Sequence, residues 1–288
     1  MNQENIDQLR NLYSFLLGIG NSVSQISYKY ISNDEFKNLP LIELQYVYWF
    51  ENIQKFHICG LTTLLRLKKW YEATESAYES QNYYSFCSSL RGGIEACADS
   101  YYSLNGCVTT IAENFSQIKL ALEKKPIKNN KIIASQKIED MLIHYIYGRT
   151  LTKSEKGKCD NTHNAEQVRT YLDSLKNKKI NKLYSELCQV THPSVYSLKP
   201  FFLDISNNEQ WVHSFDIDKK LMDHLLKEYI DVIIYTITAA LGPALCSLKI
   251  TNLLFNSKDN QLITDENLLI ILSEYKLWKK LEEKINQS

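Results

Sequence analysis

YYSFCSSLRGGIEACADSYYSL, residues 83–104, is the stretch whose reading decides the fold. Tyr83, Cys87, Leu90, Ile94, Cys97, Tyr101 and Leu104 recur at steps of three and four, which puts them on one side of an α-helix. At about 100° per residue, Arg91 falls beside Cys87 and Ile94 at the edge of that stripe. Glu95 falls one turn further on, at its margin, so two charges point toward a packed neighbour or a cleft. Ser88, Ser89, Gly92 and Gly93 occupy much of the opposite side, where small side chains let another backbone come close. Glycine inside a helix costs about 1 kcal/mol relative to alanine, so a packing reason is expected for this pair.

The rest of the chain is compatible with such a helix. Of 288 residues, 44% are hydrophobic and 23% charged, the balance of an ordinary globular protein with a sizeable core. Nine glycines and five prolines leave few turn signals and favour long helices. Thirty-three basic and thirty-three acidic residues cancel, which excludes a global field for nucleic acid or an anionic membrane; any such contact uses a local patch. The seven cysteines (59, 87, 97, 107, 159, 188 and 246) are odd in number and scattered, as expected of reduced thiols in a cytoplasmic protein. MNQENIDQLR lacks the basic start and apolar run of an export signal. Residues 230–248, IDVIIYTITAALGPALCSL, are apolar enough to suggest a membrane span, but Asp231 and Gly242-Pro243 favour a buried core helix, and no membrane association is expected.

Working outward, the apolar spacing predicts a first helix over 4–30, bent at Gly18 or Gly20, with Ser32, Asn33 and Asp34 as the next break and cap. A second helix covers 41–80, with a kink at Gly60. Its aromatic run YVYWF, residues 46–50, has helical rather than alternating spacing and reads as core. Asn105-Gly106 ends the central helix. Further helices follow over 108–124, over 136–147 capped by Ser135, over 165–175 and over 179–190. Another starts at Asp216 or Asp218, with Pro243 opening its continuation, and a last one covers 264–285. Residues 148–163 are a polar, mobile insertion, and 195–215 an irregular aromatic strap or lid. The expectation is all-α: a helical bundle of eight to ten helices without a sheet. Long N-terminal helices (1–80) pack on a core of 81–288, and the whole forms one compact domain.

Searches for standard chemistry return little. There is no GxSxG elbow, no phosphate-binding glycine loop, no HExxH and no dinucleotide fingerprint. Cys159 and His163 have a usable metal spacing but no second pair completes a four-ligand site, so no metal and no cofactor are expected. The remaining specified residues are Arg91 and Glu95, and Tyr184, Glu186, His192 and Ser194 in YSELCQVTHPS, residues 184–194. Pro193 disfavours a helical conformation at His192, so this imidazole sits at a helix end where both nitrogens can reach neighbours.

Leu90, Arg91 and Glu95, then Tyr184, Leu187, His192, Pro193 and Ser194, form the pattern LRxxxE followed about a hundred residues later by YxxLxxxxHPS. In this the chain resembles a loose group of bacterial all-helical proteins of unknown function, similar to the HEPN superfamily. Gly92 replaces the small polar residue often found after the arginine. The resemblance spans residues 80–248. Many HEPN proteins are metal-independent ribonucleases of toxin and antiphage systems, with an active site formed across a dimer. Their arginine and histidine lie four to six residues apart on one helix, a spacing this chain lacks. The resemblance implies a helical effector or accessory protein of a bacterial defence system, homodimeric, acting on RNA through a local basic patch such as KKPIKNNK (124–131) or on a partner protein of a defence operon. On that reading Arg91, Glu95 and His192 are catalytic, and Tyr184, Ser194 and Tyr102 bind substrate. His192 serves as general acid or base, Arg91 stabilises charge on the phosphorane, and Glu95 holds Arg91. The same residues equally make a buried polar network tying helices together. A non-catalytic interaction module that uses the 195–215 strap, or a small-ligand pocket lined by tyrosines, are the rival functions.

Overall fold

Asn82 starts the central helix: its side-chain oxygen accepts from the Ser85 amide at 2.9 Å, and Asp218 accepts from the Tyr83 amide at 3.0 Å. In this computed structural model, residues 3–19, 26–126, 134–205, 210–214, 216–255 and 262–288 are described. The helices are α1 (Gln3–Gly18), α2 (Asn33–Lys37), α3 (Leu41–Glu79), α4 (Tyr83–Glu113), α5 (Phe115–Leu122), α6 (Gln136–Tyr147), α7 (Val168–Ser174), α8 (Lys178–Thr191), α9 (Asp218–Phe255), α10 (Glu266–Leu269) and α11 (Lys276–Gln287). The fold is all-α, of the helical-bundle class expected. Within the segment read as an irregular strap, 3-10 turns at Val195–Ser197 and Lys199–Phe201 lead into a short antiparallel ribbon. Strand β1 (Phe202–Ile205) pairs with β2 (Gln210–His213), and Phe202 lies opposite His213.

Contacts gather the chain into two compact units: Met1–Ile19, Leu64–Ala98 and Val168–Ala239 form one, and Gly20–Thr63, Asp99–Gln167 and Ala240–Ser288 the other. Helices α3, α4 and α9 each contribute to both units.

In the first unit the stripe of α4 is sealed: Cys87, Ile94 and Cys97 are fully buried, and Leu90 nearly so. The glycine face receives aromatic rings of α3 rather than a backbone. A Cβ built on Gly92 would lie 2.6 Å from the Trp70 ring, whereas one on Gly93 would touch the Tyr71 ring at 3.6 Å. Helix α8 buries Ile180, Leu183, Leu187 and Val190 at steps of three and four, and α9 adds Ile230, Ile233 and Ile237.

The second unit corrects several boundaries. Helix α1 ends at Gly18; residues 20–25 lie outside the described residues, and 26–32 carry no regular structure. That segment lies on α3. Gln54 brackets Lys29, accepting from its amide at 2.9 Å and donating to its carbonyl at 2.7 Å; Glu51 accepts from the Ile31 amide, and the Tyr28 hydroxyl meets His57 Nδ1 at 2.8 Å. Gln54 and Glu51 thereby satisfy backbone groups that a helix would have paired internally. Gly60 makes no break in α3. An added Cβ would come within 2.0 Å of Ser247 Oγ, so the glycine serves a close approach to α9. Asn105-Gly106 does not end α4 either, because Gly106 gives room to the Met141 methyl. Ser32 and Ser135 cap α2 and α6 as expected. Pro243 lies inside α9, which continues through it. The last helix is interrupted by a 3-10 turn, Ile270–Glu274. In the 148–163 stretch, Arg149 makes a two-pronged ion pair with Glu155. Helix α9 is long and apolar enough to cross a membrane, and 78% of its most apolar window is buried within the protein.

Two outcomes follow. Gly92→Ala should destabilise the protein by about 1–2 kcal/mol in urea unfolding, since overpacking outweighs the gain in helix propensity. Gly18→Ala, with nothing within 4 Å of its added Cβ, should be neutral or stabilising. His57 is 1% exposed, and burial lowers its pKa from 6.5 to about 4. Below pH 6.5 the unfolded chain takes up a proton that the folded one refuses. Stability should therefore be full above that pH and fall by at most about 3 kcal/mol down to pH 4. Denaturant titrations of the wild type and His57→Gln across that window would show it as a slope that the variant loses.

Candidate functional site

The two sequence motifs meet within the first unit. The side chain of Arg91, at the solvent edge of α4, is 27% exposed; its Nη1 donates to Thr191 Oγ1 at 2.8 Å. Its Nε lies 3.5 Å from Glu95 Oε1, an ion pair along one turn of α4. This buried Nε has no hydrogen bond of its own, and among the described residues none accepts from Nη2. The same Glu95 oxygen accepts from the Tyr184 hydroxyl at 2.6 Å. Burial first, and then the carboxylate, raise the Tyr184 pKa well above the usual phenol value, so the hydroxyl keeps its proton and remains a donor.

Thr191 is the residue that joins the motifs. At the last turn of α8 its hydroxyl donates back to the Leu187 carbonyl at 3.1 Å, with Cys188 at 3.3 Å, and accepts from Arg91 with its free lone pair. Sequence reasoning quoted this threonine inside YSELCQVTHPS without giving it a role; its place one residue before His-Pro was the available signal. His192 follows with φ −105° and ψ 156°, the extended conformation that Pro193 imposes. Its amide closes α8 on the Cys188 carbonyl at 3.0 Å, while its side chain is exposed, with no hydrogen bond or ion pair among the described residues. The structure thus brings Arg91 to the residue adjoining His192.

The other expected residues divide. Ser194 has its hydroxyl committed: it donates to the Gln189 carbonyl at 2.6 Å and accepts from the Tyr196 amide at 3.2 Å, so it caps the turn after α8. Glu186 accepts from Tyr229 at 2.6 Å, a tie between α8 and α9 separate from the Arg91 cluster. Tyr102 belongs to the second unit, where its ring packs edge-on to His144 at 6.0 Å; it is not a member of this cluster. Of the basic stretch 124–131, Lys124 pairs with Glu43 at 2.8 Å and Lys125 with Glu123 at 2.6 Å; residues 127–131 lie outside the described residues. Among the described residues no three His, Cys, Asp or Glu side chains converge as metal ligands.

What the arrangement offers chemically is a guanidinium held by two neighbours, with Nη2 uncommitted among the described residues, and an exposed imidazole on the residue that follows the threonine holding it. Such a fork suits an anion with several oxygens. Arg91→Ala and Thr191→Val, measured singly and together in urea, should show a coupling of about 1 kcal/mol. Additive losses would mean that the bond contributes nothing to stability. No protein-family model, curated protein or solved structure matches the chain.

Proposed function

We propose that the chain is a HEPN-like helical effector that cleaves RNA without a metal ion, acting as a homodimer in the cytoplasm of a bacterium as part of antiphage or toxin defence. The observation that supports this most is the 2.8 Å bond from Arg91 to Thr191, which holds a guanidinium beside the residue that precedes His192. In the proposed reaction the imidazole takes the proton from a ribose 2′-hydroxyl, and the 2′-oxygen then attacks the adjacent phosphorus. The bond from phosphorus to the 5′-oxygen breaks, the leaving oxygen takes a proton from solvent water, and a 2′,3′-cyclic phosphate remains. Arg91 stabilises the additional negative charge on the phosphoryl oxygens through its uncommitted nitrogen, while Glu95 and Thr191 fix its orientation. The defence role and the dimer derive from the resemblance in the LRxxxE and YxxLxxxxHPS motifs.

A second reading has its own observation. Val195 and Leu198, directly after His192, are 55% and 51% exposed, and Tyr196 and Phe201 are also exposed. These apolar side chains suit a partner protein, with the Arg91 network serving only to brace α4 against α8. Incubation of purified protein with a mixed single-stranded RNA pool in chelator separates the two. The first reading expects cyclic-phosphate products, with His192→Ala and Arg91→Ala each lowering the rate by a factor of about 10² or more while remaining folded. Absence of cleavage by wild type, or cleavage undiminished in His192→Ala, would end the nuclease reading.

A further inference from the structure

A second feature of the first unit has no part in the RNA chemistry. Between α1, α3, α4 and α9 lies a cavity of about 380 Å³, walled by Ile6, Leu16, Leu90, Ile230, Ile233 and Ile237. Its size falls within the range of small-molecule pockets, roughly 300–1,000 Å³. An apolar cavity of about 150 Å³ holds one benzene ring; in proportion, this one holds about fifteen non-hydrogen atoms.

The polar groups of the lining come from Arg10, Tyr13, Tyr71, Thr74, Glu75 and Tyr78, with Arg10 its one cation and Glu75 its one anion among the described residues. Arg10 faces Asp7 at 3.7 Å, and Lys69 pairs with Glu72 at 3.0 Å. The Thr74 hydroxyl is spent on the Trp70 carbonyl, and the Tyr78 hydroxyl donates to Asp223 at 2.6 Å. Glu75, an exposed residue, receives the Tyr13 hydroxyl on Oε2, while Oε1 has no partner among the described residues. Burial first, then the hydrogen bond to Glu75, and last the charges of Glu72 and Glu79 raise the pKa of the Tyr13 phenol, which stays a donor. One oxygen of the Glu75 carboxylate is thus open at the edge of an apolar chamber, while the lining's guanidinium, Arg10, has Asp7 as its partner.

We propose that this cavity binds a small amphipathic cation, its apolar body among the isoleucines and leucines and its ammonium-type end on Glu75. Recognition combines burial of the body with one charge-assisted hydrogen bond, and it disfavours an anionic head.

The test is isothermal titration of the full chain, at about pH 7, with decylammonium, 1-decanol and decanoate, which share a tail and differ in head charge. The expected result is one-to-one binding with decylammonium tightest, decanol weaker, and decanoate weaker than decylammonium by about tenfold or more. Glu75→Gln should erase the preference for the cation while leaving decanol binding unchanged. Ile6→Trp, a change on the half-buried α1, should block all three by filling the chamber. No binding by the wild type, equal affinity for decylammonium and decanoate, or undiminished binding in Ile6→Trp would each overturn the proposal. A loss of RNA cleavage elsewhere in the molecule has no bearing on it.

Discussion

Helix α4 is gripped on two faces at once, and the first unit depends on that constraint. One face is the sealed stripe of Cys87, Leu90, Ile94 and Cys97; the other is the pair Gly92-Gly93, which the Trp70 and Tyr71 rings of α3 cover in place of side chains. Little of the helix is left for solvent, and Arg91 and Glu95 occupy that remaining edge. A polar side chain there has few directions available. The guanidinium therefore extends toward α8, where a hydroxyl is waiting, and Tyr184 closes the arrangement from the same helix. Packing sets the direction of the charges, and the hydrogen bonds add specificity at modest net stability.

The central helix was legible because it carries two signals of the same period: an apolar stripe, and small residues opposite it. Helix α8 and its extended terminus at His192 were legible because Pro193 acts locally on the residue before it. Failures cluster where a residue with strong local preference is overruled by something distant in sequence. Gly106 and Gly60 read as stop and kink, yet each is glycine because Met141 or Ser247 needs the space. Residues 26–30 read as helix because their apolar spacing is helical, and nothing local reveals that Gln54 and Glu51 of α3 will take over backbone groups of Lys29 and Ile31, or that His57 will meet the Tyr28 hydroxyl. The β1–β2 ribbon was hidden by short strands whose pattern is aromatic rather than alternating.

Of the site, the pairing of Arg91 with Glu95 is a matter of helical spacing and was available from sequence. The convergence of α4 on α8 is tertiary, and only the co-occurrence of two short motifs hinted at it. Ser194 entered the site through the motif resemblance; its local geometry engages the hydroxyl in capping the turn after α8. Tyr102 shares a helix with Arg91 yet belongs to the other unit, since α4 is long enough to serve two cores.

The hydroxyl of Thr191 also links two timescales. It holds the guanidinium only while it back-bonds within the final turn of α8, and helix ends open far more often than helix centres do. Each fraying event at that terminus releases Arg91 together with the backbone that presents His192. The Arg91–Thr191 bond therefore has the lifetime of one helical turn, and any contact that stiffens the 191–194 corner lengthens it without touching the arginine.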